Sequence, residues 1–289
     1  MISVVVPAFN EGNAIQETVK NLRHILESSN LTPYEIIVVD DGSEDATKEI
    51  AIESGAVVVK HPHNLGYGAA LKTGILKSQY DTIVITDSDG TYPVSQIPLL
   101  YEKYSEGFDM VVGARQGVVY KGTYIKWPLR ILLRFLVEWT AGRKIPDINS
   151  GLRIFSKKTI ASYFSRLCDT FSFTTSATLA YMMTGRFVTY IPISYAERIG
   201  SSHVKLWRDS LRTLQFIVQA VTYYNPLKIF ILLASVCMAG ALISLLIGLV
   251  FHIATGFIMS AMLIASSVLV FGLGLLADLL RQMVSRPNA

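Results

Sequence analysis

Twice along this chain a β-branched apolar run stops abruptly on acids and a glycine. Glu35–Val39 runs into Asp40-Asp41-Gly42-Ser43, and Ile83-Val84-Ile85-Thr86 runs into Asp87-Ser88-Asp89-Gly90. Buried strands have the first composition; loops that grip metal-bound phosphates at a strand end have the second. On a still-extended backbone two acids at i and i+2 face the same side. Asp87 and Asp89 can therefore share one cation, or divide their duties between cation and ribose. Taken alone, Asp-x-Asp also fits an acidic turn closing a strand, so its context decides.

That context alternates strand and helix. Ile2–Val6 reads as a short buried strand ended by Pro7. Asn13 is placed to cap an amphipathic helix over Ala14–Glu27, with its apolar stripe at Ile15, Val19, Leu22 and Leu26. After the strand Glu35–Val39 come a helix near Asp45–Ser54, a strand at Ala56–Lys60, a loop at Asn64-Leu65-Gly66-Tyr67-Gly68 and a helix at Ala69–Ser78. The strand carrying Asp87 and Asp89 is fourth, followed by a helix at Ser95–Glu106 and a strand at Met110–Gly113. Short connections between alternating elements imply an α/β fold, a mainly parallel sheet with helices on both faces. Ligands of such sheets bind at the carboxyl ends of the strands, where both acid clusters fall. Asp41 reads as a cap for the helix that follows it.

Beyond residue 120 the character changes. Tyr124–Ala141 and Lys205–Tyr224 are basic, aromatic, amphipathic stretches of the kind that lie in a membrane interface. Ile229–Phe251 and Phe257–Ala277 are uncharged apolar runs, each long enough for a bilayer core of roughly 30 Å at about 1.5 Å per residue. The link His252–Gly256 makes them a hairpin. Arg208, Arg212 and Lys228 flank the first run, Arg281 and Arg286 follow the second, and the link holds no Lys or Arg. The positive-inside rule then puts both outer ends, with the globular part, on the cytoplasmic face of an integral membrane protein. Val4-Val5-Val6 is too short for a signal-peptide core and runs at once into Pro7, which agrees with that side. Cys168 and Cys237 make no disulfide framework. The net charge of +4 without a Lys/Arg-rich run excludes a nucleic-acid partner from the expected ones.

The matching stretches are Val5-Val6-Pro7-Ala8-Phe9-Asn10-Glu11, Val38-Val39-Asp40-Asp41-Gly42-Ser43, Asn64-x-Gly66-x-Gly68, Asp87-Ser88-Asp89-Gly90, Gly113-Ala114-Arg115, Asp147-x-x-Ser150-Gly151-x-Arg153 and Arg198-x-Gly200-Ser201-Ser202. In this order and spacing the chain resembles the inverting family 2 glycosyltransferases of GT-A fold. Within them it is similar to the polyprenyl-phosphate sugar synthases, of the dolichol-phosphate mannose synthase kind, that carry their own membrane anchor. The resemblance covers residues 1 to about 205. It implies a GT-A domain over 1–204, a juxtamembrane helix over 205–226, two transmembrane helices over 227–280 and a tail over 281–289.

The resemblance also assigns roles. Pro7, Phe9, Glu11, Val38, Asp40, Gly66, Asp87 and Ser88 would surround a nucleotide sugar, with Asp40 accepting from an N–H of uracil or guanine, so the donor is UDP- or GDP-linked. Asp87 and Asp89 would hold Mg²⁺ or Mn²⁺ on the pyrophosphate. Asp89, Arg115, Arg198 and Lys205 would carry the chemistry, the three cations on phosphate oxygens. Thr91 stands where these synthases carry a glutamine able to touch the metal, and His203 where the usual motif places its lysine. The implied acceptor is a polyprenyl phosphate, undecaprenyl or dolichyl, already ionised near neutral pH with a second pKa of about 6. It would attack the anomeric carbon without a strong general base, with inversion.

Competing readings leave marks that can be sought. The Gly66 loop is neither a P-loop nor a dinucleotide fingerprint, because Leu71 falls where either needs glycine. A processive polysaccharide synthase would carry Gln-x-x-Arg-Trp, and Trp127, Trp139 and Trp207 are not so preceded. A non-catalytic nucleotide-binding membrane adaptor would have no chemical need for the acid pair or Arg115. His61-x-His63 has no third ligand nearby in sequence and reads as structural. No acid stands in Phe171–Thr175, where related synthases often carry one near the sugar, so the hexose is left unnamed. Related anchored synthases can assemble as homo-oligomers through their membrane helices, and Gly240, Gly248, Gly272 and Gly274 hint at close helix packing.

Overall fold

The computed structural model describes residues 1–116, 135, 138–139, 141–196, 214–215 and 218–285. The chain divides into two compact units, Met1–Ile217 and Val218–Ala289. Tyr124–Ala141, apart from a few residues, Arg198, His203, Lys205 and most of Lys205–Tyr224 lie outside the described residues.

In the first unit, seven strands form one sheet among the described residues: β1 (Ile2–Ala8), β2 (Tyr34–Asp40), β3 (Val57–Lys60), β4 (Thr82–Ile85), β5 (Met110–Gln116), β6 (Arg153–Ser156) and β7 (Val188–Ser194). Their order is β3-β2-β1-β4-β6-β5-β7. β1, β2, β3 and β4 pair in parallel, as do β5 and β7; β6 is antiparallel to both β4 and β5. The sheet is mainly parallel, as alternation predicted, and among the described strands β6 alone runs the other way. β6 follows a long connection with no periodic signal, and strand direction leaves no trace in hydrophobic period.

Strand residues alternate between two cores. Val4, Val6, Val38, Val84, Val111 and Ile154 face one side, where α1 (Ile15–Ser28), α2 (Thr47–Glu53) and α4 (Ile97–Ser105) close over them. The α1 stripe Ile15, Val19, Leu22 and Leu26 is buried as its period requires. Asn13 does not cap this helix: Ala14 is the capping residue, with no side-chain bond, and the Glu11 carbonyl accepts from Ala14 N and Ile15 N instead. On the other face α3 (Tyr67–Lys77) lies so close that a Cβ on Gly74 would come within 2.4 Å of Val5 Cγ1 and 3.0 Å of Val39 Cγ2. A short helix, α5 (Lys157–Ala161), and α6 (Phe173–Met183) also belong to this unit.

The second unit is a hairpin of α7 (Pro226–Phe251) and α8 (Ala254–Ser285). At 26 and 32 residues they are about 39 Å and 48 Å long, enough to cross a bilayer core. The second helix starts at Ala254, three residues before the apolar run, because His252 turns the chain in the left-handed region. Gly248 and Gly256 meet backbone to backbone, Ser244 Oγ donates to the Gly256 carbonyl and Ser267 Oγ to that of Ala234. At the open end Arg281 joins Asp278 to the Tyr224 carbonyl.

Gly74 tests the packing that sets α3 on the sheet. Gly74→Val is expected to lower stability by about 1–3 kcal/mol through overpacking. A lowered thermal midpoint of the detergent-extracted protein would register this.

Candidate active site

Strand direction determines which loops meet. β1, β2, β4 and β5 deliver their carboxyl ends to one edge of the sheet; antiparallel β6 delivers its amino end, with Asp147–Gly151 ahead of it, to the same edge. Pro7, Val38, Asp40, Asp87, Ser88, Asp89, Arg115 and Asp147 are thereby gathered from five segments. Phe9, Glu11 and Gly66 stand on the adjoining loops.

The loops after β1 and β2 are stitched together. Asn10, held at positive φ, donates its amide to Ser43 Oγ and accepts from Glu44 N; Glu11 N donates to Thr47 Oγ1, and Gly12 N to Asp45 Oδ2. Asp45 also accepts from Thr47 N, doing at the start of α2 what was expected of Asp41. Asp41 is turned elsewhere. Its oxygens accept from Leu65 N and Gly66 N, and His61 Nδ1 lies 2.7 Å away. The physical reason is period two: Asp41 sits one residue beyond the strand end and points into the Asn64–Gly68 loop. His61, bonded on its other nitrogen to Thr73, is structural.

Asp40 is fully buried. Its Oδ1 accepts from Ser43 N at 2.8 Å, but Oδ2 has no hydrogen-bond partner among the described residues; Lys60 Nζ lies 3.6 Å off, on a half-exposed side chain. An unpartnered buried carboxylate oxygen at a strand end suits a ligand N–H.

Asp87 Oδ1 accepts from the Tyr67 hydroxyl at 2.8 Å. Burial, and next the Asp87 charge, push the Tyr67 phenol well above its ordinary pKa, so it donates. Asp89 is 5% exposed, and its Oδ1 accepts from Thr91 N and Thr91 Oγ1. Thr91 thus supports the acid that its position had linked to a metal. Gly151 also packs against the Asp87 carboxylate: a Cβ there would lie 2.7 Å from Oδ1. Its amide donates to the hydroxyl of buried Tyr92. A small cleft beside α1, with Glu17, Thr18, Asn21 and Tyr92 on its walls, reaches Asp87.

Arg115 is committed to Asp147. Nε donates to Oδ2 at 2.7 Å and Nη2 to Oδ1 at 2.9 Å, a bidentate pair, while the guanidinium lies over the Tyr195 ring at 5.2 Å. Burial alone would raise the Asp147 carboxyl; the Arg115 hydrogen bonds and charge override it and hold the pKa below the ordinary carboxylate value. Behind this pair Arg153, buried, donates to the carbonyls of Ser150 and Ile148 and to Thr178 Oγ1. It braces the loop that carries Asp147. Tyr67, Tyr92 and Tyr195 are site residues that motif reading missed, although Tyr67 stands inside the quoted glycine loop.

Residues 3–165 match the family described as Glycosyl transferase family 2. An uncharacterized protein of Methanocaldococcus jannaschii is 38% identical over 168 residues, 54% of this chain and 64% of that protein, a little under two thirds of its length. The undecaprenyl-phosphate 4-deoxy-4-formamido-L-arabinose transferase of Salmonella choleraesuis is 27% identical over 262 residues, 88% of this chain and 77% of that one. Among solved structures, glucosyl-3-phosphoglycerate synthase of Mycobacterium tuberculosis with Mn²⁺, UDP and phosphoglyceric acid has a TM-score of 0.63 at 21% identity, covering 76% of this chain and 78% of that one. The same enzyme with Mg²⁺ and UDP gives 0.61 at 22% identity, over 76% and 79%. These likenesses establish a GT-A-like fold.

The Arg115–Asp147 pair makes a prediction with a sign. A depressed folded-state pKa contributes stability that is present above the unfolded value and lost as pH falls through the folded one. Arg115→Ala, leaving Asp147 buried and uncompensated, should cost about 3–5 kcal/mol at neutral pH. Because burial alone raises the Asp147 carboxyl, the variant should take up its proton above the ordinary carboxylate value of 3.8, so thermal midpoints followed downward from pH 7 should show the deficit shrinking from that raised value down to the parent's lowered one. A deficit independent of pH would refute it.

Proposed function

The chain belongs to glycosyl transferase family 2, and from that premise we propose that it moves one hexose-type sugar from a UDP- or GDP-sugar to a polyprenyl phosphate. The carrying observation is the rim itself: two aspartates each tied by a hydroxyl, beside a buried Asp40 whose Oδ2 lacks a partner. The Salmonella relative, matched over most of both chains, is named for an undecaprenyl-phosphate acceptor, which supports the acceptor class. The α7–α8 hairpin would anchor the chain in the bilayer that holds such a lipid, with the positive-inside pattern placing the catalytic unit on the cytoplasmic face.

In this reading Asp40 takes the base through Oδ2, and Pro7, Phe9, Glu11, Val38, Gly66 and Ser88 frame base and ribose. Asp87 and Asp89 fit Mg²⁺ or Mn²⁺. Both are hard oxygen donors, and such an ion is commonly bound through one or two carboxylates with substrate phosphates and water completing its shell. When bound, it would neutralise charge on the departing nucleoside diphosphate. The acceptor phosphate is already an anion, so the chain need supply no strong base; its work is alignment and charge stabilisation. Arg115, oriented by Asp147, is proposed to contact phosphate through its guanidinium, and Arg198 and Lys205 likewise. Attack opposite the leaving group would invert the anomeric centre, an α-linked donor giving a β-linked lipid product.

Membranes carrying the protein, supplied with a short polyprenyl phosphate, Mg²⁺ or Mn²⁺ and a panel of nucleotide sugars, should form sugar-lipid from one donor only. EDTA should abolish product, and Asp89→Ala should lower the rate at least about a hundredfold, the scale of losing one contact to developing charge. Undiminished turnover in Asp89→Ala would remove the metal from the mechanism.

A further inference from the structure

Tyr67 has no part in the chemistry above, yet it stands at its centre. It is the first residue of α3, and the backbone on either side is fixed. Gly66 N is bound by Asp41 Oδ2, while Ala69 N donates to the Asp169 carbonyl and Lys72 Nζ to the Leu167 carbonyl. Gly66 and Gly68 have no room for a side chain: a Cβ would come within 2.7 Å of the Asp169 carbonyl oxygen in the first case and 2.2 Å of the Cys168 carbonyl oxygen in the second. The ring leans on Phe171 with centroids 5.7 Å apart. A phenylalanine would satisfy all of this packing. Only the hydroxyl is left to explain, and it donates to Asp87 Oδ1 at 2.8 Å.

Asp87 therefore has both a fixed phenol and the bare backbone of Gly151 against its carboxylate. Asp89 has the same kind of support from Thr91 Oγ1. Each acid of the pair is tied through Oδ1 by a hydroxyl from a residue outside the pair. We propose that Tyr67 is a positioning residue, whose hydroxyl holds Asp87 in the one rotamer that can grip the divalent ion with Asp89. The proposal rests on the metal reading of that pair. Groups that orient a metal ligand typically account for about 10- to 100-fold in metal affinity.

The test uses the purified full-length protein in detergent, with Mn²⁺ binding followed by electron paramagnetic resonance in the presence of UDP and, separately, GDP. Tyr67→Phe keeps the ring and its contact with Phe171. It should weaken Mn²⁺ binding about tenfold or more, with nucleotide affinity in EDTA unchanged. Parent-like Mn²⁺ binding in Tyr67→Phe, while Asp87→Ala and Asp89→Ala lose the ion, overturns the role of Tyr67 and leaves the metal reading standing. Parent-like binding in Asp87→Ala and Asp89→Ala overturns both. A Tyr67→Phe protein that loses metal-free nucleotide affinity and thermal midpoint together makes the hydroxyl a general structural bond and also overturns the proposal.

Discussion

A carboxylate removed from water keeps its charge only where donors replace the water it lost. Five carboxylates meet at one edge of this sheet: Asp40, Asp41, Asp87, Asp89 and Asp147. Donors reach each of them. Two loop amides and His61 serve Asp41, Arg115 serves Asp147, Thr91 serves Asp89, Tyr67 serves Asp87 and the Ser43 amide serves Asp40. These same bonds fasten the loops. The Asn64–Gly68 loop is held by Asp41, the loop ahead of β6 by Arg115 and Arg153, and the loops after β1 and β2 by each other. The edge is thus ordered by the groups that give it its charge.

Asp40 and Asp41 show how neighbours come to differ. Consecutive residues near a strand end point to opposite sides, so the pair cannot share a task. Asp41 is spent on the glycine loop, and both its oxygens are engaged. Asp40 faces the other way with Oδ2 unmatched. Leaving a buried acceptor without a donor costs about 1–3 kcal/mol, and a bound base offering an N–H would recover it.

Much of this was legible in the sequence, for physical reasons. Continuous β-branched apolar runs marked the strands β1 to β4, period 3.6 marked α1, and the acids closing β2 and β4 marked the ligand edge. What stayed hidden is what pattern does not encode. Four residues of β6 between a long connection and α5 carry no readable period, and nothing in Arg153-Ile154-Phe155-Ser156 says that the strand runs backwards. Without that direction Asp147 and Gly151 could not be placed beside Arg115 and Asp87. Asn13 and Asp41 were mistaken for caps because capping residues also serve loops. Tyr67 went unread because a tyrosine between two glycines looks like packing until the partner of its hydroxyl is seen.

The described residues bring different kinds of donor to these acids. A guanidinium bonded to both oxygens cancels the charge it stabilises, and Asp147 is held in that way. Hydroxyls and backbone amides fix an oxygen in space while leaving the carboxylate's charge in place, and these are the donors seen at Oδ1 of Asp87 and Asp89. A divalent cation is drawn by charge as well as by geometry. An acid meant to bind one is therefore better anchored by neutral donors than by a basic side chain. In the proposed reading, the hydroxyl donors that the described residues bring to Asp87 and Asp89 leave the acids' charge available to an ion, while Asp147 is engaged by Arg115.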